Sequence, residues 1–248
     1  MRASEKNLYD FYDTVGTLQG VTCTQKDRFS VILEDSSAWP RIVYNLAGGN
    51  DLPYVFRDAP GFSGNPSEYP FAVINRELVT PDVADLMRTI PAYPVELWEL
   101  MEISVSRLTS SFLMEGAVIE RIFSGRDLDA FSGVVNQCLM GNTPINADLV
   151  NAMAETAGFD FYCLRFNGEM VSTMLSFSCN GVSGLYLVAT LPEYRGRGFA
   201  GNLIRFVLNF LFNQGKEKVV LQADRKAVPL YLKTGFISVG QLAIIRKF

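Results

Sequence analysis

Two Asn-Gly pairs, Asn167-Gly168 and Asn180-Gly181, constrain this chain more than any other feature. Each separates apolar runs: Phe159–Phe166, Met170–Cys179 and Val182–Ala189. Asn-Gly is the residue pair that a two-residue hairpin turn demands, because both of its central positions need positive φ. Three consecutive strands therefore fold back on one another. The third feeds the turn Pro192-Glu-Tyr-Arg-Gly-Arg-Gly-Phe-Ala200, which opens onto an apolar helix running to Asn213, with Gly215 as its stop. That helix carries Leu203, Ile204, Phe206, Val207, Phe210 and Leu211 nearly all round, so it is expected to be buried on more than one side.

The turn itself has chemistry. Gly196 and Gly198 let the backbone take positive φ and leave no side chain above it. Successive N–H groups can then point into one concavity at the positive end of a helix dipole, which suits phosphate or pyrophosphate. Arg195 and Arg197 add mobile positive charge at the rim. The spacing is neither G-x-x-x-x-G-K-[ST] nor G-x-G-x-x-G, so the P-loop and the dinucleotide fingerprint do not apply.

What the spacing matches is R-x-x-G-x-A, Arg195 through Gly198 to Ala200. This resembles the acetyl-CoA motif of the GNAT acyltransferase superfamily. A second segment, Ala227-Val-Pro-Leu-Tyr-Leu-Lys-Thr-Gly-Phe236, is similar to that family's A-x-x-L-Y-x-K-x-G-F. The resemblance covers roughly residues 116–248. It implies an α+β fold, a mixed α/β sheet of GNAT type, in the C-terminal half. It also implies acetyl-CoA, or another short acyl-CoA, as cosubstrate, with no metal, and an amine as acceptor. By position, the backbone of Val188 and Thr190 would pair with the pantetheine arm, and the amides of Arg195, Gly196, Arg197, Gly198, Phe199 and Ala200 would hold the pyrophosphate. Tyr231 matches the family's Tyr that protonates the departing thiolate. Asp224 stands where many members have an Asn contacting the CoA arm. An ionised carboxylate accepts hydrogen bonds without donating, so that contact is altered and Asp224 becomes a candidate base. The strand entering the turn, Ser183-Gly-Leu-Tyr-Leu-Val188, lacks the Glu that members often carry there. Tyr186, Ser183 or water remain to take the amine's proton, and Glu193 is expected to be a solvated surface residue.

Composition excludes other chemistries. The chain of 248 residues contains no His, which removes the commonest general base and metal ligand. Cys23, Cys138, Cys163 and Cys179 have no C-x-x-C spacing and are expected to be reduced core thiols. A formal charge of −4 argues against a nucleic-acid partner, including aminoacyl-tRNA as the acyl donor. No apolar run suffices to span a membrane, and the polar start, Met1 to Asn7, has no signal-peptide core. A soluble cytoplasmic protein, monomer or homodimer, is the expectation. With a Glu missing from the entering strand and no His, a non-catalytic CoA-binding module is the alternative to an enzyme.

The rest of the chain divides at about residue 116. In 1–115, residues 4–15 place Leu8, Phe11, Tyr12 and Val15 on one helical face behind a possible Ser4 cap. Strands are expected over 29–33, 41–46 and 71–74, an irregular connection over 47–69, and a helix over 81–89 opened by Thr80-Pro81. Val95 to Val105 alternates like a strand yet has a helix former's composition. This region is expected to be either a degenerate GNAT-like half or an unrelated α+β cap. In 116–248, a strand over 118–122 precedes a helix with Leu128, Phe131, Val134, Val135 and Cys138 on one face, opened by a capping box of Ser124 and Asp127. A second helix runs from Thr143-Pro144 to Gly158. Past the turn come a strand over 219–223, a short helix over 226–233 and a last strand over 236–245. The expected order is β-α-α-β-β-β-α-β-α-β.

Overall fold

From the N-terminus, helix α1 (Ala3–Val15) precedes strands β1 (Val21–Gln25), β2 (Ser30–Glu34) and β3 (Arg41–Tyr44), then α2 (Leu52–Asp58), β4 (Phe71–Asn75) and the long β5 (Ala92–Ser104). The C-terminal part runs β6 (Ala117–Ile122), α3 (Arg126–Val135), α4 (Ala147–Ala154), β7 (Phe159–Phe166), β8 (Glu169–Cys179), β9 (Val182–Thr190), α5 (Phe199–Asn213), β10 (Lys218–Asp224), α6 (Val228–Lys233) and β11 (Ile237–Lys247). This computed structural model describes residues 1–36, 38–59, 70–83, 85, 92–104, 115–123, 125–141 and 143–247. The expected element order holds throughout the C-terminal part. Both Asn-Gly pairs take positive φ and close the hairpins β7–β8 and β8–β9.

All the strands join one sheet in the order β1-β2-β3-β4-β11-β5-β10-β9-β8-β7-β6. The two parts of the chain trade strands. β5, from the N-terminal part, lies antiparallel between β10 and β11, with Met101 opposite both Leu221 and Ser238. β11, from the C-terminal part, lies antiparallel between β5 and β4. This settles the ambiguity of the expected 95–105 stretch as far as Ser104, beyond which Val105 lies outside the described residues. Two neighbours with ladder hydrogen bonds to offer outweigh the weak helix preference of Leu, Met and Glu.

Helices cover both faces, so central strands are apolar on both sides. On one face α1, α3 and α4 pack with Phe159, Phe161, Phe177 and Tyr186. On the other, α5 and α6 pack with Tyr162, Leu164, Leu185 and Leu221, and α2 covers β2, β3 and β4 further along. The α1 stripe of Leu8, Phe11, Tyr12 and Val15 is buried as its spacing requires. Phe11 alone stabilises by about 1.5–3 kcal/mol through burial.

Several local expectations are corrected. Ser4 is not the cap of α1; that position is Arg2, and Ser4 is buried in the first turn. α2 lies inside the stretch expected to be irregular, because Leu52, Val55 and Phe56 at helical spacing bury against the sheet. β1 had no apolar run to announce it and is placed by pairing Val21–Gln25 with Ser30–Glu34. α3 runs on into a π-helical turn, Asn136–Met140. α4 begins at Ala147, where the Asn146 side chain accepts from the Asp148 N–H, and ends at Ala154 before Gly158. Ser124 and most of 81–89, 105–114 and 60–69 lie outside the described residues.

Candidate active site

The parallel pairing of β9 with β10 is short: Val182, Ser183 and Gly184 face Lys218, Val219 and Val220. Beyond that point β9 continues to Thr190 and β10 to Asp224 without pairing, so the sheet opens into a cleft. A bulge in β9 bends it at the opening. Leu175 of β8 pairs with Tyr186 while Thr173 pairs with Ala189, and Leu187 takes φ 50° to accommodate the extra residue.

The bulge also fixes which backbone groups face the cleft. Leu191 N–H donates to Val171 O, and the carbonyls of Ala189 and Leu187 accept from the hydroxyls of Ser172 and Thr173 on β8. Successive strand residues point their main-chain groups to opposite sides, so those of Val188 and Thr190 turn away from β8, into the opening. Val188 is already known from the sequence as a candidate here, as is Thr190. The Thr190 carbonyl is partly occupied: Arg195 Nε donates to it at 3.0 Å and Cys138 Sγ approaches it at 3.4 Å.

β9 ends in the Gly/Arg turn. Pro192–Tyr194 form a 3-10 turn, and the Arg195 N–H closes it on Pro192 O at 3.2 Å. That amide, expected among the pyrophosphate donors, is therefore engaged within the turn. Gly196 and Gly198 take φ of 74° and 84°, and a Cβ on either would meet nothing within 4 Å. Their use is thus conformational freedom and an open backbone surface, and Gly198 is the residue from which α5 starts. Helix geometry leaves the first N–H groups of α5, at Phe199 and Ala200, without intrahelical acceptors, and the Asn202 N–H is bonded to Gly198 O.

Both arginines make contacts within the protein. Arg195 is held to Thr190 O, and the Arg197 guanidinium lies over the rings of Phe166, Phe199 and Tyr194 at 4.7, 5.1 and 5.5 Å. Tyr194 is itself tied by its hydroxyl to Glu169 Oε2 at 2.6 Å. The positive rim is pre-positioned on an aromatic platform.

Asp224 ends β10 and Tyr231 lies on α6, close enough for the carboxylate to act on the hydroxyl. Tyr231 is buried on α6, edge-to-face with Phe236. Burial, and then the nearby Asp224 charge, push its hydroxyl well above the ordinary tyrosine range, so it stays protonated and able to donate. Asp224 Oδ1 accepts the Ala227 N–H at 2.8 Å and holds the turn into α6. Gly235 takes φ 100° at the end of that helix, and Phe236 enters the core as its motif implies.

The other hydroxyls weighed as proton acceptors are committed elsewhere. Tyr186 is buried, stacked on Phe11 with ring centroids 4.2 Å apart, and donates to Asn7 Oδ1 at 2.7 Å. Ser183 shares a hydrogen bond with Ser178. Glu193 is exposed, as expected. Two participants had no signal in the sequence. Cys138 lies in the π-turn that follows α3 and reaches the Thr190 carbonyl, and burial pushes its thiol up despite Arg195 nearby. Asn7 comes from α1, remote in the chain. All four cysteines are free thiols. Among the described residues no group of three potential metal ligands occurs, and no helix is long and apolar enough to cross a membrane.

A cleft between splayed parallel strands, opening onto a glycine turn at a helix N-terminus, defines a class that the comparisons identify. Residues 135–236 match the model of the acetyltransferase (GNAT) family, and this C-terminal part of the chain belongs to the GNAT superfamily. It is 33% identical over 100 residues to an SPbeta prophage-derived uncharacterized N-acetyltransferase of Bacillus subtilis, covering 38% of this chain and 56% of that protein. It is 31% identical over 116 residues to N-acetyltransferase 8B of Rattus norvegicus, covering 43% of this chain and 51% of that one. The chain thus spans about half the length of the curated relatives it matches. A GCN5-related N-acetyltransferase from Kribbella flavida shares the fold across 97% of this chain and 95% of its own, with TM-score 0.70 and 15% identity. That likeness extends over the N-terminal part as well.

Proposed function

We propose that this protein is an acyl-CoA-dependent N-acyltransferase that moves an acetyl group from acetyl-CoA to an amine by direct attack. The observation that carries the proposal is the cleft beyond Gly184–Val220, with the Gly196–Gly198 turn at its mouth. The pantetheine arm would lie along β9 and pair with Val188 and Thr190. The pyrophosphate would rest on the amides of Gly196, Arg197, Gly198, Phe199 and Ala200, with the Arg195 side chain beside it. The acceptor nitrogen would attack the thioester carbonyl, so that a C–N bond forms and the C–S bond breaks. The Tyr231 hydroxyl would give its proton to the departing thiolate, and the amine's proton would leave through water. Direct attack within one complex draws much of its acceleration from proximity, which tolerates a weak base. Asp224 is better suited to hold Ala227 and bias Tyr231 than to serve as that base. Residues 1–115 would act as a second half that lends α1 and β5 to the first. The acceptor would be a small or peptidic amine in the cytoplasm, with neither nucleic acid nor membrane as partner.

The test is thiol release from acetyl-CoA and other short acyl-CoAs across a panel of amines. Turnover with any amine supports the proposal; silence with all of them counts against it. A non-catalytic CoA-binding module is favoured by one observation, that both hydroxyls on β9 facing away from solvent, Ser183 and Tyr186, are spent on internal bonds. Acetyl-CoA binding without turnover would select it.

A further inference from the structure

Helix α1, outside the matched residues 135–236, is bonded to both strands that border the cleft. In the parallel register of β9 and β10, Val182, Ser183 and Gly184 face Lys218, Val219 and Val220. Continued by two residues, that register would bring Tyr186 opposite Gln222. Each is bonded instead to helix α1. The Tyr186 hydroxyl donates to Asn7 Oδ1 at 2.7 Å, and Gln222 Nε2 donates to Ser4 O at 2.8 Å. Ser4 and Asn7 are three residues apart, so they lie one turn apart on the same side of the helix.

The attachment is close and built for rigidity. Asn7 Nδ2 also donates to Val182 O at 3.3 Å, so one amide spans β9 from its paired root to Tyr186, the residue before the bulge. Phe11, one further turn along, stacks flat on the Tyr186 ring at an interplanar angle of 11°. Gly184, the last paired residue of β9, makes room: a Cβ there would lie 2.0 Å from Asn7 Oδ1. The second residue past the last pair on each strand is thus tied to the same helix, so both walls of the opening are anchored on α1.

We propose that α1 is a spreader that sets the width of the acyl-CoA cleft, with Asn7, Tyr186 and Gln222 as its positioning residues. This rests on the acyl-CoA reading of the cleft given above. It assigns the N-terminal part of the chain a role in binding the donor, through a helix that lies outside residues 135–236.

The test is calorimetric titration of the full chain with acetyl-CoA, alongside thermal melts. Tyr186→Phe keeps the stacked ring and removes the donor; Gln222→Met keeps the length and removes the donor. Each is expected to weaken acetyl-CoA binding about three- to tenfold, the effect of one hydrogen bond, and the double variant is expected to weaken it further. Val15→Ala loosens the buried C-terminal end of α1, about two turns beyond Asn7, and is expected to lower Tm with affinity unchanged. Affinity within twofold of wild type in both donor variants overturns the spreader, as does an equal loss in Val15→Ala, which would mean that affinity merely follows stability. Wild-type protein that binds no acetyl-CoA overturns the acyl-CoA reading itself, and the spreader with it.

Discussion

Replacing Gly184 by Ala strikes the seat of α1 on the root of the cleft. A Cβ at this position lies 2.0 Å from Asn7 Oδ1, 2.5 Å from Tyr186 Cε2 and 2.8 Å from the Tyr186 hydroxyl. Ordinary contact begins at 3.4 Å, so the Asn7 oxygen must retreat by 1.4 Å (3.4 − 2.0). The neighbours have little room to give. Tyr186 is pinned against Phe11, and Asn7 is on a helix fixed by Gln222 and by a buried stripe. The retreat breaks the bonds from Tyr186 to Asn7 and from Asn7 to Val182, each worth about 1 kcal/mol net. Overpacking adds about 1–3 kcal/mol. A loss of about 3–5 kcal/mol is expected, which lowers Tm by on the order of 10 °C for a domain of this size. Gly184 is not in the left-handed region, so backbone strain does not enter. Urea unfolding followed by tryptophan fluorescence measures the loss, with the slope unchanged. Asn7→Ala in the Gly184→Ala background should cost less than in wild type, because the colliding oxygen is gone. A Gly184→Ala protein within about 0.5 kcal/mol of wild type, the range of ordinary surface changes, would refute the packing described.

Three further outcomes follow from the same structure. Tyr231→Phe keeps the ring against Phe236 and removes the acid; kcat should fall about 100-fold or more while acetyl-CoA affinity holds, and unchanged turnover would remove the acid role. Arg197→Ala should lose about 0.5–1 kcal/mol of stability with its three-ring contact, and Arg197→Lys should recover little of it because an ammonium lacks the planar face; wild-type stability in either would contradict the aromatic platform. Finally, burial raises the hydroxyl pKa of Tyr9, Tyr12, Tyr44, Tyr186 and Tyr231 in the folded chain. The unfolded chain releases those protons near the ordinary value of about 10. Their contribution is therefore complete below about pH 10 and is lost above it, at about 1.4 kcal/mol per pH unit for each tyrosine. Urea midpoints taken from about pH 8 to pH 11 should be level and then fall steeply; a level profile throughout would mean that these hydroxyls are not buried.

The parts of the fold that could be read from the sequence are those that local chemistry decides. Asn167-Gly168 and Asn180-Gly181 need positive φ and have it, so the β7–β8–β9 meander was legible residue by residue. The same holds for Gly196 and Gly198 and for the all-round apolar α5. What was not legible depends on partners distant in the chain. β1 exists because β2 offers it a ladder, and β5 is a strand because β10 and β11 flank it. The exchange of β5 and β11 leaves no trace in periodicity, since a strand's pattern does not name its neighbours. In the site, Val188 and Thr190 were candidates by resemblance, and the Leu187 bulge beside them had no signal in the sequence. No spacing rule brings Phe166 of β7 beneath Arg197. Asn7 sits 179 residues from the tyrosine it holds.

The central claim is that the opening between β9 and β10 seats an acyl-CoA. Backbone amide NMR during titration with acetyl-CoA tests it residue by residue. Saturable shifts concentrated at Gly196, Arg197, Gly198, Phe199 and Ala200, with a second group at Val188 and Thr190, are the predicted result. Shifts that gather on another surface, or a spectrum that does not change at saturating acetyl-CoA, would contradict it.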